Sequence, residues 1–150
     1  DGSAQILRWL NIGGSIDQGD GIYYDELDPF RGTNRSRSIR VGLQPNANLS
    51  GNVNYQYVDF TRDTGERVFN VHILNLRSTY QFTPRFLVRG IGQYDSSRRR
   101  VLADFLASYE LVPGTVMHAG YGELLESVNT RPYEATARAF FFKASYLARF

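Results

Sequence analysis

Residues 139–150 read AFFFKASYLARF. Phe140, Phe142, Ala144, Tyr146, Ala148 and Phe150 take every second position, with Lys143 and Arg149 between them. A helix turns once in about 3.6 residues, so positions two apart would point to different sides. In a strand they share a face. The segment therefore reads as a strand with one apolar, largely aromatic face. Its other face, Phe141, Lys143, Ser145, Leu147 and Arg149, is mixed.

The same alternation recurs along the chain and predicts strands at 4–16, 37–45, 47–60, 67–82, 85–95, 100–112, 115–126 and 136–150. Most are longer than the common strand and match the roughly 9–11 residues that a tilted strand needs to cross a bilayer. Tight turns are expected at Pro45-Asn46, Thr83-Pro84 and Pro113-Gly114, where proline presets φ and Gly or Asn tolerates φ > 0. Looser, polar connections fall at 17–36, 61–66, 96–99 and 127–135. Short turns at one end and longer loops at the other are the layout of an outer-membrane barrel. The predicted fold is all-β: one domain, 1–150, forming an eight-stranded antiparallel up-and-down transmembrane β-barrel. Strand 1 is expected to pair with strand 8, and the even count to leave both termini at the turn end.

Composition bounds the alternatives. The chain has 150 residues, enough for one domain, and no cysteine, which excludes a disulfide scaffold and thiolate metal sites. A net charge of +2 is too mild to imply nucleic acid. No apolar run approaches the roughly 18 residues of a membrane helix. Mean hydropathy is −0.36, a value that a membrane barrel reaches as readily as a soluble protein, because alternation hides its apolar residues. The start at Asp1, without a signal peptide, fits a processed secreted protein or an excised fragment.

Parity assigns the side chains. Val53, Tyr55, Leu74, Leu76, Val88, Phe105, Phe142 and Ala144 are expected to face lipid, as are Leu10, Ile12, Ile16, Met117, Ala119 and Tyr121. Phe82, Phe86, Tyr109, Tyr146 and Phe150 at the turn end, and Tyr57 and Tyr94 at the loop end, are candidate interfacial girdles. Arg40, Arg77, Arg89, Asp104, Glu110 and Lys143 lie on the opposite parity and are expected to pair across a lumen filled by side chains.

Other groups carry weaker signals. Arg98-Arg99-Arg100 is a candidate contact for lipopolysaccharide phosphates, although a solvated loop is the commoner meaning of such a run. Asp17, Asp20, Asp25, Glu26 and Asp28 cluster without the spacing of a known calcium loop. Gly13-Gly14 reads as a bend or bulge. His72 and His118 are the only histidines, each expected on the outward face or near a strand end, and no serine–histidine–acid trio is evident. No catalytic residue, metal or cofactor is expected.

The stretches STYQFTPRFLVRGIGQYDS (78–96), ASYELVPGTVMHAGYGE (107–123) and AFFFKASYLARF (139–150) resemble the C-terminal barrel of a bacterial family. In that family a carbohydrate-binding module similar to family nine precedes an outer-membrane barrel. The resemblance covers about the last half of the chain and the first half only in style; the module is absent. It implies the terminal part of a larger barrel or a stand-alone relative, and it carries over no catalytic residue. A final aromatic after alternating apolar positions resembles the signal read by the barrel-assembly machinery, with Tyr146 and Phe150 as its residues. The expected protein is an integral barrel of the bacterial outer membrane, in contact with lipid and lipopolysaccharide, with a structural, anchoring or surface-interaction role. Part of a larger, porin-like transport or glycan-uptake barrel is the alternative. A soluble lipocalin-like binder, with the faces inverted, or a lipid-modifying enzyme ranks lower.

Overall fold

The computed structural model describes residues 2–24, 29–127 and 132–146. They form nine strands: β1 (Gly2–Leu7), β2 (Leu10–Tyr23), β3 (Phe30–Leu43), β4 (Leu49–Arg62), β5 (Arg67–Thr83), β6 (Phe86–Asp95), β7 (Arg100–Val112), β8 (Thr115–Glu126) and β9 (Glu134–Tyr146). Each pairs antiparallel with the next, so the sheet is a meander in chain order. No described residue is helical.

Two of the expected turns are built by side chains. The Asn46 carboxamide oxygen accepts from the amides of Asn48 and Leu49 at 3.0 and 2.9 Å. The Thr83 hydroxyl accepts from those of Arg85 and Phe86 at 3.3 and 3.0 Å. At the third, Gly114 takes φ 91°, which a Cβ would oppose.

Three expectations are overturned. The strand expected at 4–16 is two strands, folded back at Arg8-Trp9. The connection expected at 17–36 is mostly ladder, because β2 and β3 stay in register from Leu10↔Leu43 to Tyr23↔Phe30. The eight-stranded closure is absent: the count is nine, and no described Cα of β1 lies within 8 Å of one in β9. Nine antiparallel strands leave β1 and β9 running the same way. A seam between them would be parallel, unlike the even-stranded antiparallel closure of bacterial barrels. The described ends also lie apart, Gly2 in register with Gly14 part-way up β2, Tyr146 beside the β7–β8 turn.

An open sheet has little core. Phe60 is the one buried apolar side chain among the described residues. The accessible surface is 11155 Å², against about 7,800 Å² for a compact protein of this mass. Its apolar surface has not been withdrawn by folding on itself.

The turns step down the sheet. One row of register partners runs through Leu10, Leu43, Gly51, Ser78, Gly90, Phe105, Tyr121 and Phe140. The β1–β2 turn closes on that row at Leu7↔Leu10; β5 runs on beyond it to Thr83, and β7 to Val112. The slip is about one residue per strand, roughly 3.3 Å against a strand spacing of about 4.8 Å, which tilts the strands by about 35°. That is the tilt of a barrel wall.

Candidate functional site

Register sorts the side chains into two faces. The aliphatic face carries Ile12, Val41, Val53 and Leu76 in one row and Leu49, Tyr80, Val88, Ala107, Ala119 and Phe142 in another. Tyr55, Leu74, Phe105 and Ala144 share it. Leu74, Leu76, Phe105 and Phe142 are exposed. At the turn end Tyr80 meets Phe82 edge-on at 4.6 Å, Phe82 stacks on Phe86 at 5.2 Å, and Phe86 meets Tyr109 at 6.2 Å. Tyr146 lies beside this belt and is exposed; Phe150 lies outside the described residues.

Apart from the Ser78 hydroxyl in the reference row, the first polar side chains on the aliphatic face are Gln18, Arg37, Asp59, His72, Glu123 and Arg138. Counted from the reference row they scatter, because the row itself is slanted. With one residue of slip removed per strand, all six rise to about 7–10 residues above the turn-end reference level. Between the turns and that level the described residues of this face carry no charge. The uncharged band is about 22 Å tall, allowing for tilt, close to the height of the apolar band of a membrane barrel. At its upper rim Glu123 accepts from Arg138 Nε at 2.8 Å and from the Tyr121 hydroxyl at 3.0 Å, and the Tyr55 hydroxyl lies 2.7 Å from His72 Nδ1.

The other face is rich in amides: Asn11, Asn52, Asn54, Asn75 and Gln93, with Arg40 and Arg77 among them. It holds a hollow of about 500 Å³ lined by Asn11, Gly13, Ser15, Arg40 and Asn52. A second, of about 320 Å³, is lined by Asn54, Asn75, Arg77 and Gln93.

Above the rim this face changes character. Tyr23, Phe30, Phe60 and Phe69 gather on it with ring centroids 5.3–6.3 Å apart. The Phe60 ring lies against Gly32, which leaves no room for a Cβ, and Arg62 sits 3.7 Å over Phe30. The sheet thus reverses polarity along β2–β5. Near the turns its apolar residues are on the aliphatic face; near the loops they are on the amide face, opposite exposed Arg31, Arg35, Gln18 and Asp20. The sequence reading missed this cluster because it lay partly in the supposed connection 17–36; the signal was the alternation of Tyr23, Phe30 and Gly32 with charged residues.

The six charges expected in the lumen, Arg40, Arg77, Arg89, Asp104, Glu110 and Lys143, share the amide face. None of them is ion-paired among the described residues, and Arg40, Arg77 and Lys143 are exposed. Ile91 separates Arg77 from Asp104 in one row, and Glu110 instead accepts from the Gly114 amide at 3.4 Å. An open sheet does not bring opposite walls together. A close ion pair that does form on this face is Arg100–Glu126, with Nε to Oε1 at 2.7 Å.

Arg98 pairs loosely with Asp95 at 3.9 Å, and Arg99 takes φ 47°. The Ser97 hydroxyl donates to Asp95 at 2.6 Å and holds that carboxyl below its ordinary value, with the Arg98 and Ser97 amides helping. Ser108 Oγ lies 2.8 Å from His118 Nδ1 on the amide face, but Lys143, not a carboxylate, is next to His118 in register. The pair lacks the acid that orients a hydrolase histidine. Asp17 and Asp20 point to opposite faces of β2 and cannot share an ion, while Asp25, Glu26 and Asp28 lie outside the described residues. No model of a known protein family matches the chain, and no curated protein matches it.

Proposed function

We propose that the chain forms part of the wall of a bacterial outer-membrane β-barrel of more than nine strands, with the aliphatic face toward lipid and the amide face lining a hydrated, porin-like lumen that passes polar solutes. The observation that carries this reading is the levelling of the polar rim. Six polar side chains on six strands meet at one height only when barrel tilt is taken into account, and the face below them is uncharged. A soluble sandwich has no need of such a level. The reversal of polarity above it supports the same reading, since wall that rises out of lipid into water must turn its apolar side inward.

The open sheet favours the larger barrel over eight self-contained strands. Further strands would close it, as the resemblance of the last half of the chain also implies. A plugged lumen with a purely structural or anchoring role is the second reading. It is favoured by the inner surface of β7–β9, where Ser108 is buried and the Phe141 ring covers Gly120.

These 150 residues hold no cysteine, so introduced ones are the only thiols in this part of the wall. Single cysteines at Leu76 and Phe105 of the full-length protein in bilayers should resist a charged maleimide, and fluorophores there should be quenched by brominated lipid. Cysteines at Asn54 and Arg77 should react and escape quenching. Fast labelling at Leu76 with no lipid quenching would overturn the assignment.

A further inference from the structure

β3 carries Arg31, Arg35 and Arg37 on its aliphatic face, directly beyond Ile39, Val41 and Leu43 on the same side of the strand. All three arginines are exposed, and none is ion-paired among the described residues. Arg37 lies in register between Ile16, which is 76% exposed, and Tyr57. Its stem thus crosses the apolar rim and its guanidinium reaches the polar side. Among the described residues two carboxylates on this face lie beside the column, in β2 and β4. Asp59, opposite Arg35, is buried and accepts from the Thr61 hydroxyl at 3.5 Å; Asp20, opposite Thr33, is exposed. Among the described residues the column keeps an excess of one positive charge.

We propose that Arg31, Arg35 and Arg37 form a track for the phosphate groups of a membrane-anchored, phosphorylated saccharide in the leaflet on the loop side; this rests on the membrane reading above. Guanidinium forks match phosphate oxygens two at a time. Length selects the occupant. From Arg37 to Arg31 the tilted strand rises about 16 Å, whereas the headgroup layer of a phospholipid leaflet is about 5–8 Å deep. Arg37 alone stands at the height of phospholipid phosphates. Arg35 and Arg31 stand beyond it, where only a headgroup that extends away from the bilayer meets them. The run Arg98–Arg100 fits this role less well, because Arg98 and Arg100 face Asp95 and Glu126, and Arg100 is on the amide face.

The test uses the full-length protein in phosphatidylcholine nanodiscs titrated with fluorescent lipopolysaccharide. The double variant R35Q/R37Q should lose about tenfold or more in affinity, the scale of one charge-assisted bond or more. R31Q should lose less, R35K/R37K should retain part of the binding, and R98Q/R99Q should bind as wild type. Enzymatically dephosphorylated lipopolysaccharide should bind wild type poorly, and phosphatidylglycerol should not compete. Unchanged affinity in R35Q/R37Q, or competition by phosphatidylglycerol at equal concentration, overturns the proposal. If that happens in protein that has inserted normally, the membrane reading stands and the phosphate track alone falls. If wild type does not insert, both fall.

Discussion

At Gly120 and Gly32 the fold uses the missing side chain differently. The nearest atoms above Gly120 belong to the exposed Phe141 ring, which can swing aside; above Gly32 lie the Thr61 carbonyl and the buried Phe60 ring, which cannot. Gly120→Ala should therefore lower stability by about 1 kcal/mol and Gly32→Ala by about 2–3 kcal/mol, within the range for overpacking. Unfolding midpoints in detergent decide it, and the reverse order would mean that the aromatic cluster is loose. Asp95 offers a pH handle at the tip of the β6–β7 hairpin. Its folded pKa is depressed, first by the Ser97 hydroxyl. A carboxylate of this kind supports the folded tip above the ordinary carboxylate range and stops doing so as pH falls through its lowered value. The protection of the Ser97 and Arg98 amides, exchange being corrected for its intrinsic pH dependence, should hold from neutral pH into mild acid and fall only below that range. Protection lost already near neutrality would show that Asp95 is not the anchor.

For a strand, what matters is height. Leu76→Arg and Phe105→Arg place a charge inside the uncharged band and should cost about 2–4 kcal/mol, whereas Ile22→Arg, on the same face of the sheet but above the rim, should cost about 0–1 kcal/mol. Equal costs at Leu76 and Ile22 would remove the depth dependence, and the lipid with it. Such heights were not legible in the sequence, although the faces were. Parity alone separates Leu74 and Leu76 from Asn75 and Arg77, because side chains in a strand alternate whatever the strand pairs with. The fold-back at Arg8-Trp9 escaped for the same reason. Apolar residues at Leu10, Ile12 and Ile16 continue the parity of Ala4 and Ile6, and no Gly, Pro or Asn marks the break. The upper halves of β2 and β3 escaped because Asp, Gly and Arg read as loop when the apolar side is sought on the wrong face. Arg31, Arg35 and Arg37 acquire meaning only when their level on the wall is known, and level depends on the slip between strands that no single segment encodes.

For the whole molecule, closure depends on what meets the outermost strands, which local alternation cannot express. Tyr146, Phe142 and Phe140 lie exposed on β9, and every described residue of β1 is exposed. A free edge of this length would ordinarily be an invitation to aggregate. Among the described residues the strand count is odd, and this biases which edges can meet. β1 and β9 point the same way, and on the proposed membrane reading every copy of the chain is inserted the same way up. The β9 edge of one copy can therefore meet the β1 edge of another only in parallel, and either edge can meet its own counterpart antiparallel only if one copy is upside down. Cysteines introduced together at Ala4 and Tyr146, which stand at the same height on the two edge strands, should accordingly give few disulfide-linked chains of copies on oxidation in bilayers; a ladder on a non-reducing gel would break the rule. The described edges thus offer the stronger antiparallel seam to a strand of opposite direction and only the weaker parallel seam to a like-oriented copy, which biases the meander away from chains of its own kind.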